Sequence, residues 1–397
     1  MSASDTTGSA RSYFDQSDED KALGLFRILG DQAGGADGAD GADAAAGVGG
    51  PGGFDVVADA TRCRALYRGM LQIRVMDERL MALQRQGRIG FYGEAKGQEA
   101  AVVGSAAALG PDDWVVPALR EAGAGLLRGL PLDHYVAQLF GNAADVTKGR
   151  QLPCHPCDRD SNYVVMSSCV ANQLPHAVGI AWAMKLQGHP KVCVGYMGDG
   201  GTSESDFHWA LELASQTQAP VVFVCQNNQW AISTPGTLQT ASETIAVKGL
   251  GYGMESLRAD GNDVLAAYTA TKYAVDKARR GDGPTFIELL TYRVSAHSSS
   301  DDPSRYRDES ITEEWKTRRD PIARMRAFLL GRSWLTEEQD QRMREEIEAR
   351  VREVIAAQEA IGPPDIDTLF DDVYETPTWL QHEQRDYLRR QPRRNSH

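Results

Sequence analysis

The sequence predicts an α/β fold with a mostly parallel sheet covered by helices on both faces. Val192-Cys193-Val194-Gly195-Tyr196-Met197 and Val221-Val222-Phe223-Val224-Cys225 are apolar runs without alternation, the pattern of strands buried on both sides. A helical stretch over roughly 203–217 separates them. Helix 262–280 and strand 285–290 (TFIELL) repeat the unit, and strand–helix–strand alternation implies parallel pairing.

The elements outside this repeat follow in order. Residues 31–53, DQAGGADGADGADAAAGVGGPGG, hold almost nothing that could build a core and read as a flexible segment. The apolar piece at 22–29, ALGLFRIL, is suited to dock on something, so residues 1–54 read as an arm that folds only against the body or a partner. Residues 58–86 read as a helix, with Leu66, Met70, Ile73, Met76, Leu80 and Leu83 spaced by three or four. A second helix covers 97–108. Pro175–Leu186 is apolar and helical and stops at Gly188-His189-Pro190. Residues 320–360 form charged amphipathic helix. The α/β body spans 55–365, and 366–397 is a C-terminal extension whose end, RRQPRRNSH, is basic and frayed.

Composition excludes several function classes. Forty-two basic against 55 acidic residues give a net charge of −13 over 397 residues, which argues against nucleic acid or an anionic membrane as partner. No apolar run approaches the roughly 20 residues that span a bilayer. The N-terminal residues lack the basic-then-apolar layout of a signal peptide. Six cysteines in so long a chain make no disulfide scaffold, and a reducing cytoplasm is the expected location.

Two polar features sit where the repeat places its strand ends. Gly198-Asp199-Gly200-Gly201 directly follows the first run, and Asn227-Asn228 closely follows the second. Open α/β sheets bind ligands at the carboxyl ends of strands. The glycines let backbone approach a phosphate, and a helix beginning near Thr202 offers free N–H groups. Asp199 and Asn228 present oxygen ligands of the kind that magnesium shares with phosphate. Together they describe a magnesium–diphosphate cradle. Gly198, Gly200 and Gly201 do not fit the dinucleotide G-x-G-x-x-G and no P-loop pattern occurs, so direct nicotinamide binding and NTPase chemistry are disfavoured.

The span GDGGTSESDFHWALELASQTQAPVVFVCQNNQWAISTP (198–235) resembles the cofactor motif of thiamine diphosphate enzymes. Within them the chain resembles the alpha subunit of 2-oxoacid dehydrogenases, the branched-chain type most closely. The resemblance runs through RQGRIGFYGEAKGQEA (85–100), VGSAAALGPDD (103–113), LREAGAGLLRG (119–129), GRQLPCHP (149–156), MSSCVANQLPHAVGIAWAMK (166–185), GYGMESLRADGNDV (251–264), TYRVSAHSSSDDPSRYR (291–307) and FDDVYETPTWL (370–380).

It implies a thiamine diphosphate-binding fold with helical N- and C-terminal extensions. Asp199, the Asn228 side chain and the Trp230 carbonyl would bind Mg²⁺. Gly200 and Gly201 would line the diphosphate, with Arg120 reaching its oxygens. Ser168 and Val170 would contact the aminopyrimidine through backbone groups. His297 would stand over the reacting side of the cofactor, as a proton-handling residue for acylation of the lipoyl group. Phe91 and Tyr92 would form part of the acyl pocket. Ser167, Cys169, Asn172 and Gln173 match a loop that holds potassium in some members. Here the chain departs from the family pattern: Cys169 replaces a proline and Asn172 a threonine. Gln226 replaces an arginine aimed at the diphosphate, Leu119 a tyrosine, and Ala296 a histidine. Ser298 and Ser300 lie on a loop that serine phosphorylation silences in some members.

The resemblance also implies a separate beta subunit, which supplies the carboxylate that activates the cofactor, in an assembly of two alpha and two beta chains. The acyl group would pass to the lipoyl arm of an acyltransferase component. The substrate is then a branched-chain 2-oxoacid, with pyruvate or acetoin as the alternative. A scaffold that has lost catalysis is the alternative from another class. Cys154 and Cys157 form an isolated C-x-x-C, read as incidental loop thiols rather than a metal or redox site.

Overall fold

Apolar runs without alternation become the inner strands of a five-stranded, fully parallel sheet. In the computed structural model, residues 23–29 and 59–392 are described. The low-complexity segment 31–53 and the last five residues of the basic tail lie outside them. The strands are β1 (Trp114–Val116), β2 (Cys193–Gly198), β3 (Val221–Asn227), β6 (Glu255–Asp260) and β7 (Thr285–Leu290), in the order β1-β2-β3-β7-β6. A small antiparallel hairpin, β4 (Trp230–Ala231) and β5 (Thr234–Pro235), follows β3. Every residue of β3 and β7 is buried, as sheet covered on both faces requires.

Helices Gln173–Leu186 and Ser205–Thr217 cover one face around Leu174, Phe207, Leu211 and Phe223. Helix Val264–Arg280 covers the other around Val222, Val224, Ala270 and Ile287. Beyond it lies a helical layer built from Ala60–Arg85, Glu99–Ala107, Pro321–Gly331 and Glu337–Glu359 around Met70, Leu80, Met325 and Val351. The charged stretch 320–360 is thus two helices. They part where Ser333 takes a positive φ of 54° and Thr336 opens the next helix with a capping box.

The edge strand β6, ESLRAD, carries too many polar residues to be read as a strand. Its Arg258 and Asp260 are buried against Glu288 and Arg324, so tertiary ion pairs replace an apolar pattern. The outer edge of β6 is itself covered. Phe26 donates its N–H to the Arg258 carbonyl at 3.1 Å and accepts from Asp260 N–H at 3.0 Å. The apolar piece expected to dock therefore pairs with the sheet and blunts an otherwise open edge.

Asp263 locks this arrangement. One oxygen caps helix Val264–Arg280 through Leu265 and Ala266 N–H, at 3.0 and 3.1 Å. The other accepts Ile28 and Leu29 N–H at 2.6 and 2.5 Å. Asp263→Ala removes an N-cap worth about 1 kcal/mol and strands two amides at about 1–3 kcal/mol each if they stay buried. The variant should unfold at lower temperature, and limited proteolysis should cut near Phe26 faster than in the wild type.

Candidate active site

β2 and β3 are neighbours in register, with Gly198 opposite Gln226, so Asp199 and Asn228 leave the sheet side by side. The backbone turns through a 3₁₀ segment, Asp199–Ser203, and the helix starts at Ser205, later than expected. Glu204, extended at φ −86° and ψ 150°, separates the two. The glycines therefore lie in a tight turn rather than in a helix's first turn. Gly200 must be glycine there, because a Cβ would come within 2.8 Å of Ala231 Cβ in the β4–β5 hairpin. Thr202 Oγ1 and Gln239 Nε2 hold the Asp199 carbonyl at 2.8 and 2.6 Å, which fixes the turn.

The Asp199 side chain is buried, and neither carboxylate oxygen has a hydrogen-bond partner. Burial pushes its carboxyl up to about 6, and nearby amides and the Arg293 charge pull it only partly back. A buried, unbonded carboxylate is costly, and a bound cation removes that cost. Asn228 Oδ1 accepts Trp230 N–H at 3.2 Å and keeps a second lone pair, while its Nδ2 donates to Gln98 Oε1 at 3.1 Å. These oxygens suit Mg²⁺.

The third wall is the segment after β7. Thr291 N–H and Arg293 N–H donate to the carbonyls of Asn227 and Asn228 at 2.9 and 3.2 Å, which ties this wall to the cradle. Within it, Asp301 accepts His297 N–H at 2.7 Å and the Tyr306 hydroxyl at 2.5 Å. Arg293 Nη2 donates to that hydroxyl and to the Ile232 carbonyl, each at 2.7 Å, and Arg307 binds the carbonyls of Arg293, Val294 and Ser295. Arg293 is fully buried with Nε and Nη1 unpartnered.

Arg120 Nη2 reaches the His297 carbonyl at 2.7 Å, and Nη1 bonds the Glu94 carbonyl. Burial, helped by Arg293, lowers its guanidinium to about 10, so it stays charged at neutral pH. Gln226 donates to Glu121, a carboxyl that burial pushes up to about 7. Ser168 and Val170 lie exposed. The Ser168 hydroxyl meets Nε2 of the buried His155 at 2.5 Å. In the 167–173 loop, Ser167 Oγ accepts Cys169 N–H at 3.2 Å, Asn172 N–H donates to the Cys169 carbonyl, and Gln173 Oε1 is buried without a partner. Phe91 is half-buried. Tyr92 is buried, with its hydroxyl on Asp77 at 2.6 Å and its backbone paired to Ser299. Cys154 is buried, and desolvation pushes its thiol up to about 12, the signature of an unreactive thiol.

Sequence reasoning singled out Asp199, Asn228 and His297 as candidates but assigned nothing to Gln98, Glu121, Arg293 or Tyr306. All four stand within the segments quoted above, yet their contacts reach across the fold.

A family model for the dehydrogenase E1 component matches residues 67–367. The chain belongs to this family. Membership implies thiamine diphosphate and Mg²⁺, and the orphaned Asp199 carboxylate fits that pair. The chain is 43% identical over 312 residues to 2-oxoisovalerate dehydrogenase subunit alpha 2, mitochondrial, of Arabidopsis thaliana, covering 79% of this chain and 66% of the relative. It is 42% identical over 325 residues to the human 2-oxoisovalerate dehydrogenase subunit alpha, mitochondrial, covering 82% and 73%. The Caenorhabditis elegans subunit alpha is 41% identical over 324 residues, covering 81% and 75%. The aligned part spans just under two thirds of the first relative's length. Among the described residues, no helix is long and apolar enough to cross a membrane.

Burial, then the Arg120 and Arg293 charges, push the His297 imidazole down to about 4, and Asp301 opposes them only in part. As pH falls below the ordinary 6.5, the unfolded chain gains a proton there that the folded chain refuses until about 4. His297 thus lowers stability on acidification across that window, and His297→Gln should flatten this loss. In histidine NMR of the cofactor-free protein, the His297 ring should stay neutral at pH 5.

Proposed function

We propose that the chain is the alpha subunit of a branched-chain 2-oxoacid dehydrogenase, decarboxylating 3-methyl-2-oxobutanoate and its homologues. The observation that carries this reading is the buried, unbonded Asp199 carboxylate beside Asn228, in a chain 41–43% identical to 2-oxoisovalerate dehydrogenase alpha subunits.

The Asp199 carboxylate, the Asn228 side-chain oxygen and the Trp230 carbonyl would hold Mg²⁺. Gly200 and Gly201 let backbone approach the diphosphate, and Arg120 supplies its planar cationic donor. Gln226 stands where some members carry an arginine, so the diphosphate meets a neutral amide there. Ser168 and Val170 present backbone groups to the aminopyrimidine. Ser167, the Cys169 carbonyl and Gln173 Oε1 are the oxygens, beside Asn172, on which a potassium ion would draw. When bound, thiamine diphosphate supplies the carbon nucleophile and the electron sink that decarboxylation needs. His297, held neutral, can take up a proton at its unprotonated ring nitrogen and return it during acyl transfer. Phe91 and Tyr92 border the acyl pocket, with Tyr92 fixed by Asp77.

A beta subunit completes the site in an assembly of two alpha and two beta chains, and the lipoyl group of an acyltransferase component receives the acyl group. Val170, Trp209, Ile232 and Leu238 are exposed apolar side chains, as a surface covered by another chain requires. All six cysteines are free, in keeping with a reducing compartment, the cytoplasm. Co-expression with a beta chain should give decarboxylation that requires both chains, thiamine diphosphate and Mg²⁺, and that favours 3-methyl-2-oxobutanoate over pyruvate. Equal or faster turnover of pyruvate would overturn the substrate assignment. No turnover of any 2-oxoacid by a well-formed complex would favour a scaffold.

A further inference from the structure

We propose that Gln98 is the positioning residue that keeps the Asn228 oxygen, and not its nitrogen, turned toward the metal. This rests on reading Asp199 and Asn228 as metal ligands. An asparagine at such a site has two faces of nearly equal shape and opposite polarity, and only the oxygen can coordinate a cation. Its orientation is decided by what the rest of the amide meets.

Two contacts decide it here. Trp230 N–H can only donate, so the Asn228 atom it meets at 3.2 Å is Oδ1. Nδ2 then faces Gln98, and the 3.1 Å contact requires an acceptor, Gln98 Oε1. A rotation of the Asn228 amide would set its NH₂ against the Trp230 N–H and its oxygen against Gln98 Oε1, breaking both bonds.

Gln98 has the rigidity this role needs. It is fully buried. Its N–H donates to the Ala95 carbonyl at 2.8 Å, and its carbonyl accepts Val102 N–H at 3.1 Å as helix Glu99–Ala107 begins. The preceding residue, Gly97, sits at φ +92°, where a Cβ would lie 2.6 Å from the Tyr292 carbonyl oxygen. Thr291 Oγ1 donates to the Gly97 carbonyl at 3.0 Å. The backbone that carries Gln98 is therefore wedged against the segment leaving β7. Gln98 Nε2 has no hydrogen-bond partner, so the acceptor oxygen is the half of the side chain that is used.

Outer-shell partners that orient a ligand typically change metal affinity 10–100-fold when removed. The test is Mn²⁺ titration, followed by the free-ion electron paramagnetic resonance signal, of metal-stripped alpha–beta complex saturated with thiamine diphosphate. Gln98→Met keeps length and burial but removes the acceptor, and its Mn²⁺ Kd should rise at least tenfold. Gln98→Glu keeps an acceptor and should stay within about threefold of wild type. Unchanged affinity in Gln98→Met, or a tenfold loss in Gln98→Glu, would overturn the inference. If Gln98→Met fails to assemble, the Gln98→Glu arm still decides. Asp199→Ala separates the two levels: loss of binding there with none in Gln98→Met sinks the role of Gln98 alone, while retained binding in Asp199→Ala sinks the cradle.

Discussion

A buried carboxylate with no hydrogen bond is the constraint on which the rest of the structure depends. Asp199 is placed by β2 and by a turn that Thr202 and Gln239 hold through its carbonyl, yet its two oxygens are left without donors. No side chain hydrogen-bonds it, and the Arg293 charge offsets its burial only in part. The fold tolerates this only because the surrounding walls are fixed from several sides. Glu288 illustrates this. It is buried in β7, accepts the Asn227 amide at 2.7 Å and Ala246 N–H at 2.8 Å, and lies 3.7 Å from Arg258 of β6. One edge strand, one central strand and the loop after β5 thereby converge below the cradle.

The same logic extends to the segment carrying His297. Its backbone is held by Asp301 and Arg120, and its neighbours by Tyr306, Arg307 and Ser299. Burial, with two arginines nearby, keeps the imidazole neutral, which suits a group that accepts a proton more than one that arrives charged. Arg120 serves both sides. It straps the His297 and Glu94 carbonyls, and as the proposed diphosphate donor it would serve the cofactor side with the same cation.

The parts legible in the sequence were those set by local pattern. β3 and β7 read as strands because their apolar runs need both faces covered, and the cradle was legible because its polar residues directly or closely follow such runs. β6 was not legible: Arg258 and Asp260 are acceptable in a strand only because Glu288 and Arg324 meet them across the fold. β1 is three residues long and carries too little pattern to be seen. The break at 332–336 turns on one residue with positive φ. In the site, Asp199 and Asn228 declare themselves by spacing. Gln98, Glu121 and Arg293 meet Asn228, Gln226 and Ile232 at 130, 105 and 61 residues' distance in sequence, so no local signal announces them. The helix start was misplaced for a similar reason, because the extended Glu204 interrupts what looks continuous.

The unbonded state of Asp199 is tested most directly by Asp199→Asn, measured as thermal stability against pH without cofactor. Its folded carboxyl at about 6 lies above the ordinary 3.8, so ionisation opposes folding above that range. The penalty is full above pH 6 and fades as pH falls towards 4; it amounts to about 3 kcal/mol. The neutral isostere should therefore be more stable than wild type at pH 7, with the gain shrinking on acidification, and Mg²⁺ with thiamine diphosphate should stabilise the wild type more than the variant. A variant less stable than wild type at pH 7, or one that Mg²⁺ and thiamine diphosphate stabilise as much as the wild type, would contradict the account.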